Sequence, residues 1–450
     1  MKRLVISEHG RLKRRGKQEP PPSTDGRIYL EGHLYDRLRH FDQAGRAESE
    51  RVFRWEDGEA RAQQWVGVIE LPGLQLEILP KVDMVTTSRL ETPESCHQVR
   101  SNLLTMLAIA GEIPVRSREL AHLESRKAPL SETLAAIYAK RLLSELLKGL
   151  DRAYLEREEN LRQFKGKLAI PKHVSRNAAH RERFFCRYDE LSEDTLMNRL
   201  FRAACLKLLA TSRSPSTQES LRYCLLALEG VSDIVVHDDL FERVALSRQN
   251  ERFADILSFS RLILSDRSPA TQAGGTRSFS LLFDMNKVFE RFLAAFLTKS
   301  VIPRIEGTRL FPQAKHHTRH LMTRNGRGVL PLRPDLLIEG PDGRKAVLDT
   351  KWKRLSPKGS GRSGVGVADL YQLFAYTRRY GSQRSVLLYP WIPGVSSQNF
   401  EILDPAGALS GEHVGVRFVK LNRDLRLASE RQALAAELET LVLESLGGAA

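Results

Sequence analysis

The stretch that most constrains this 450-residue chain lies between residues 334 and 351. Pro334-Asp335 enters one short apolar run, and a second run ends in Asp349-Thr350-Lys351. Pro341-Asp342-Gly343 stands between them and predicts a tight hairpin turn, because proline presets φ and glycine accepts the left-handed backbone. Two strands, 335–339 and 345–350, fit this spacing. Alternate side chains of a strand share a face, so Asp349 and Lys351 point the same way. The hairpin brings Asp335 beside them.

Two carboxylates held close together repel, and a hard cation relieves the repulsion. Mg²⁺ takes oxygen ligands and keeps several waters, so Asp335, Asp349 and one backbone carbonyl suffice; the carbonyl of Thr350 is the candidate. Water on such an ion becomes a better nucleophile, and the ion stabilises charge on a phosphodiester. Lys351 then orients that water or neutralises the transition state. Glu290 offers a further carboxylate from the helical run Phe283–Phe292, on a face shared with Asn286, Leu293 and Leu297. On so apolar a face it needs a partner, either the metal or an arginine. A helix over about 367–380 sets Gln372 and Tyr376 four residues apart, where they reach a phosphate or orient Lys351, while Leu373 and Phe374 pack on the sheet. Asp-x-Lys after an apolar strand also occurs in ordinary hairpins, so the reading rests on the whole constellation.

Around this stretch the chain reads as α+β and multidomain. Residues 1–98 are β-rich, with strand-like runs at Arg27–Leu30, Trp65–Ile69 and Leu74–Leu79, and a basic, proline-rich loop at 10–22. Residues 99–270 form a mainly helical middle region, interrupted by an irregular, basic and aromatic stretch at 156–192. Residues 271–450 turn mixed and hold the candidate site. The net charge of +15 points to a polyanionic partner, nucleic acid first. The segment Leu161–Arg187 mixes Lys165, Lys167 and Arg183 with Phe164, Phe184 and Phe185, and reads equally as a phosphate-contacting surface or a solvated basic face. Cys96, Cys186, Cys205 and Cys224 contain no CxxC pair, which fits a reducing cytoplasm. No signal segment and no membrane span is expected.

Several blocks, in order, resemble the McrC family within the PD-(D/E)xK nuclease superfamily. They are Leu74–Lys81, Phe164–Leu168, Phe185–Glu190, Asp194–Arg199, the helix Phe283–Phe292 and the motif Asp349-Thr350-Lys351-Trp352-Lys353. The resemblance covers about 74–390. It implies a C-terminal α/β core of the restriction-endonuclease type and a Mg²⁺-dependent subunit that cuts double-stranded DNA. It also implies a separate McrB-like AAA+ GTPase oligomer, which recognises methylcytosine DNA, translocates, and is docked by the N-terminal region. The chain has no G-x-x-x-x-G-K-[ST] loop of its own, consistent with that division. Two other readings stay open: a stand-alone RecB-like or Cas4-like nuclease, and a non-catalytic DNA-binding scaffold. Gly359–Gly364 satisfies G-x-G-x-x-G but reads as a flexible loop. His316, His317 and His320 lack the partners of a zinc site and read as exposed or DNA-facing.

Overall fold

The computed structural model describes residues 2–15, 27–44, 47–81, 93–115, 128–264, 279–355 and 364–447. Residues 359–363 of the Gly359–Gly364 loop motif and residues 16–26 lie outside them. The chain divides into two compact units, one made of Met1–Ser131 with Arg267–Ala450 and one of Glu132–Asp266. The segments 1–98 and 271–450 thus share a unit. The architecture is mixed α and β throughout.

The N-terminal part of the first unit is β-rich. It holds strands β1 (Lys2–Ser7), β2 (Arg11–Arg14), β3 (Arg27–Leu30), β4 (Phe53–Glu56), β5 (Glu59–Ala62), β6 (Trp65–Leu71) and β7 (Leu74–Leu79), with helix α1 (Gly32–Gln43) between β3 and β4 in the chain. One sheet runs β3-β2-β5-β4. Leu12, Leu30, Leu38, Phe53, Ile69 and Ile78 are fully buried in the core. Asp42 at the end of α1 accepts hydrogen bonds from the amides of Val52 and Phe53 (2.8 and 3.0 Å) and the Trp55 indole (2.8 Å), which pins the helix to β4. Strand β2 corrects the loop expected over 10–22. A single apolar residue between cations carries little periodic signal, yet Leu12 is wholly buried.

The second sheet runs β1-β7-β6-β11, and its last strand, β11 (Phe279–Asp284), comes from beyond the inserted unit. Gly67 makes that closure possible. Its φ is +135°, and a Cβ there would lie 2.0 Å from the carbonyl oxygen of Leu281 on β11. Gly67→Ala is expected to lower stability by at least roughly 1–3 kcal/mol from backbone conformation, with the clash in addition. The check is the denaturant midpoint; an unchanged midpoint would refute this role.

Helix α2 (Pro93–Ala110) leads to the inserted unit, which holds α3 (Leu130–Leu146) from Glu132 onward, α4 (Ile170–Asn177), α5 (Leu196–Thr211), α6 (Pro215–Ala227) and α7 (Ala254–Leu264). The stretch read as irregular is instead an antiparallel sheet, β8 (Ala153–Leu161), β10 (Phe184–Ser192) and β9 (Lys167–Leu168). Apolar alternation is weak there because charge pairs link the strands. Arg187 pairs with Glu156 (2.9 Å) and Glu158 (2.8 Å), and Tyr188 donates to Glu159 (3.0 Å). The block Asp194–Arg199 has a structural task. Asp194 accepts from Arg199 and from the amide and hydroxyl of Ser232, while buried Asn198 donates to the carbonyls of Asp151 and Glu193.

The chain then returns to the first unit through β11 and α8 (Met285–Phe296). There follow β12 (Arg309–Pro312), the hairpin β13 (Arg319–Arg324) and β14 (Arg327–Leu332), β15 (Leu336–Glu339), β16 (Lys345–Thr350), α9 (Val367–Tyr380), β17 (Arg384–Pro390), β18 (Gln398–Leu403), β19 (Leu409–Val419) and α10 (Ala428–Ser445). A six-stranded mixed sheet is ordered β12-β15-β16-β17-β19-β18. The β15–β16 hairpin is antiparallel, and β16 runs parallel to β17 through α9, a crossover that lays a helix on the sheet. Leu337, Val347, Leu387, Tyr389 and Val416 pack with Leu373 and Tyr376 of α9. No helix of the described residues is long and apolar enough to cross a membrane.

Candidate active site

The register of the central hairpin decides which acids meet. Leu336 pairs with Leu348, and one residue further on, at the open end, Asp335 comes opposite Asp349. Asp335 stands just before its strand, and its Oδ2 turns to Thr350, accepting from the amide at 2.7 Å and the hydroxyl at 2.6 Å. Thr350 thus enters the site through its amide and hydroxyl, which orient Asp335.

Asp349 is 2% exposed. The Lys351 ammonium lies 2.6 Å from its Oδ2, and beyond that ion pair no hydrogen-bond donor is aimed at this buried oxygen. Burial first, and the charge of Asp335 second, push the Asp349 carboxyl up to about 7, against the pull of Lys351. Lys351 feels the reverse: burial works against its charge, but Asp349, Asp335 and Asp369 together outweigh it and the ammonium is held above its ordinary value.

Helix α9 supplies the next contacts. Lys351 Nζ donates to Gln372 Oε1 (2.9 Å), Gln372 Nε2 donates to Tyr376 Oη (2.9 Å), and Tyr376 donates to the Arg333 carbonyl (3.2 Å). One hydrogen-bonded chain therefore runs from the motif lysine back to the residue before Pro334-Asp335. Burial and then the Asp349 charge raise the Tyr376 hydroxyl to about 12, so it remains a donor.

Glu290 on α8 joins the site through Gln313, a residue with no periodic or motif signal in the sequence. Gln313 Nε2 donates to Glu290 Oε1 (3.0 Å), and its amide donates to the Asp335 carbonyl (2.6 Å). Gln313 and Ala314 hold φ of 51° and 45°, a left-handed pair of non-glycine residues. Such strain persists where surrounding structure enforces it. The Glu290 carboxyl is raised by burial and by Asp335, against the Gln313 hydrogen bond. Among the described residues no three acidic, His or Cys side chains close into a metal cage. His317 packs against Phe311 with the rings tilted and their centroids 4.3 Å apart.

Trp352 adds a second unforeseen link. Its indole N–H lies 2.9 and 2.8 Å from the two carboxylate oxygens of Glu8, at the end of β1, in a buried contact. Its ring packs on Phe289, next to Glu290, at 5.2 Å. Lys353 pairs with Asp369 at 2.9 Å, and Tyr389 donates to the same carboxylate.

Fold and site together define a mixed-sheet α/β unit with an Asp–Asp–Lys cluster at the open end of its central hairpin. Residues 60–390 match the family model described as McrBC 5-methylcytosine restriction system component, and the chain belongs to that family. No curated protein matches. Among solved structures, the chain resembles one from a refined half-complex of the tetradecameric assembly of Thermococcus gammatolerans McrB AAA+ hexamers with bound McrC. The identity is 19%, the TM-score 0.67, and the match covers 98% of this chain and 100% of that one. A chain of the cryo-EM structure of the Thermococcus gammatolerans McrBC complex is 23% identical, with TM-score 0.49 over 66% of this chain and 88% of that one. The first match covers 98% of the chain, more than the 60–390 span of the family model, and so takes in described residues on either side of it.

Proposed function

We propose that this chain is the McrC-like, DNA-cutting subunit of a modification-dependent restriction system, with a PD-(D/E)xK core, working with an McrB-like AAA+ GTPase that recognises methylcytosine DNA and translocates. The observation that carries the reading is the meeting of Asp335, Asp349 and Lys351, with one Asp349 oxygen buried and offered no donor beyond the lysine. Two adjacent carboxylates, one nearly dry, suit a hard divalent cation such as Mg²⁺. Asp335 and Asp349 would hold it, with the Thr350 carbonyl and Glu290 as further oxygen donors. When bound, the ion would supply an acidified water and charge stabilisation at the phosphodiester.

The chain's own residues do the rest. Thr350 fixes the Asp335 carboxylate. Gln313 ties Glu290 to the same strand end. Gln372 holds the Lys351 ammonium beside Asp349, where it orients water or neutralises charge on the attacked phosphate. The partner assignment is supported by family membership and by the fold shared with a chain of the McrB–McrC assembly.

The test combines this chain, its AAA+ partner, GTP and Mg²⁺ with methylated and unmethylated duplex DNA. Cleavage restricted to methylated DNA, and lost in Asp349→Asn, is the expected result; an active Asp349→Asn enzyme overturns the reading. Gln313→Leu frees Glu290 and is expected to slow single-turnover cleavage by on the order of tenfold, about the effect of 1.4 kcal/mol in the barrier. DNA affinity should stay unchanged, and a wild-type rate would show that Gln313 positions nothing.

A further inference from the structure

The hairpin β13–β14 stands apart from the six-stranded sheet: its strands form a separate two-stranded sheet, and most of its side chains are exposed. No Asp or Glu occurs between Glu306 and Asp335. Lys315, Arg324, Arg327 and Arg333 are exposed and have no acidic partner among the described residues. At the tip, Asn325 and Gly326 have φ of 52° and 75°, the left-handed pair of a type I′ turn. The register places Arg324 directly across from Arg327. Like charges at such positions destabilise a ribbon, and here no carboxylate relieves them. A polyanion would. Met322 and Leu330, 58% and 57% exposed, give the ribbon apolar surface as well.

The root of the hairpin is bound to the candidate site. Arg319 donates to the Arg379 carbonyl, and Arg379 Nε donates to the His320 carbonyl at 2.9 Å. Tyr380 donates to the Leu332 carbonyl at 2.8 Å, and Tyr376 to that of Arg333. All these anchors lie on α9, which also carries Gln372, and β14 continues through Arg333-Pro334 into Asp335. Six-residue strands extend about 20 Å, more than half of one ~34 Å duplex turn. A two-stranded ribbon also has the dimensions to enter the major groove.

We propose that β13–β14 is a DNA-gripping arm, whose Arg324 and Arg327 hold backbone phosphates of the duplex several base pairs from the bond cut at Asp335–Asp349. The assignment of the cut rests on the nuclease reading; the grip does not. The arm holds substrate in register with the site through the α9 anchors.

The test uses the full chain and a fluorescently labelled duplex, in the absence of divalent metal, with Kd measured by anisotropy between 50 and 200 mM salt. Arg324→Gln/Arg327→Gln is expected to bind about tenfold more weakly at 100 mM salt. The slope of log K against log salt should shrink by about 2, near 0.9 for each phosphate left without its arginine. Arg324→Lys/Arg327→Lys should restore most of the slope, and the thermal midpoint of the glutamine variant should equal or slightly exceed wild type, since the tip is exposed and the facing charges are gone. An unchanged slope and Kd would overturn the arm, as would a double glutamine variant that keeps DNA binding but loses its AAA+ partner in a pull-down. Asp349→Asn separates the two readings: assayed for cleavage with the AAA+ partner, GTP and Mg²⁺ it should not cut, while the grip is judged on the arginine variants alone. If it cuts, the nuclease reading fails while the salt slope still judges the arm.

Discussion

Asparagine at position 349 is expected to abolish DNA cleavage, by on the order of a thousandfold or more, while leaving the chain at least as resistant to unfolding as wild type. The first half follows from the charge. A carboxylate that holds a divalent cation supports several kcal/mol of transition-state stabilisation, and each 1.36 kcal/mol is tenfold in rate. The second half follows from burial. Asp349 is 2% exposed, faces Asp335, and its carboxyl is pushed up to about 7 by burial and by that neighbour. The neutral amide keeps the shape and removes the repulsion, while Lys351 retains Gln372. Such a residue is costly to fold and is expected where chemistry needs it. The measurements are single-turnover cleavage and thermal midpoints with and without Mg²⁺. Mg²⁺ should raise the wild-type midpoint and not that of Asp349→Asn. A variant cutting within tenfold of wild type, or one stabilised by Mg²⁺ as strongly as wild type, would contradict the metal assignment.

The Glu8 contact leads to the second large effect, on stability against pH. Glu8 is 1% exposed, and burial drives its carboxyl from 4.5 up to about 7, opposed by the Trp352 indole and by Lys81. A folded value above the unfolded one means that the favourable contribution is complete below about 4.5 and is lost as pH rises through about 7. The span corresponds to about 3 kcal/mol, at 1.36 kcal/mol for each unit. Glu8→Gln keeps an acceptor for the indole and removes the titration. It should equal wild type in stability near pH 4.5 and exceed it by up to about 3 kcal/mol at pH 8. Denaturant unfolding at a series of pH values gives the difference directly. Parallel curves for the two proteins would mean that Glu8 is ionised without penalty. Trp352 also touches Phe289 beside Glu290, so the same contact reaches the helix that brings the third acid.

Much of this molecule is written locally. The β15–β16 turn at Pro341-Asp342-Gly343, the helix over 367–380 and the strand-like runs at 65–69 and 74–79 follow from turn chemistry and from periods of 3.6 and 2. So does the shared direction of Asp349 and Lys351. Other features were masked by their surroundings in the sequence. The Asn325-Gly326 pair marks the β13–β14 arm and is a strong hairpin signal, but it sits in a run of cations with little apolar alternation. Strands β8 and β10 pair through charges, which a reading by hydrophobic period passes over.

The remaining contacts depend on which distant segments close upon one another. Strand β11 completes a sheet begun at β1, Gln313 bridges Glu290 and the Asp335 strand, and Glu8 meets Trp352 from the other end of the chain. No window of sequence contains both partners of such a contact, and their burial follows from the packed unit. The acids and the lysine of the candidate site were therefore legible from residue type, spacing and strand alternation, because those act between near neighbours. The raised carboxyl of Asp349, the strained backbone at Gln313 and the anchoring of the arm came only with the assembled unit, because desolvation and strain belong to groups enclosed by segments far apart in the chain.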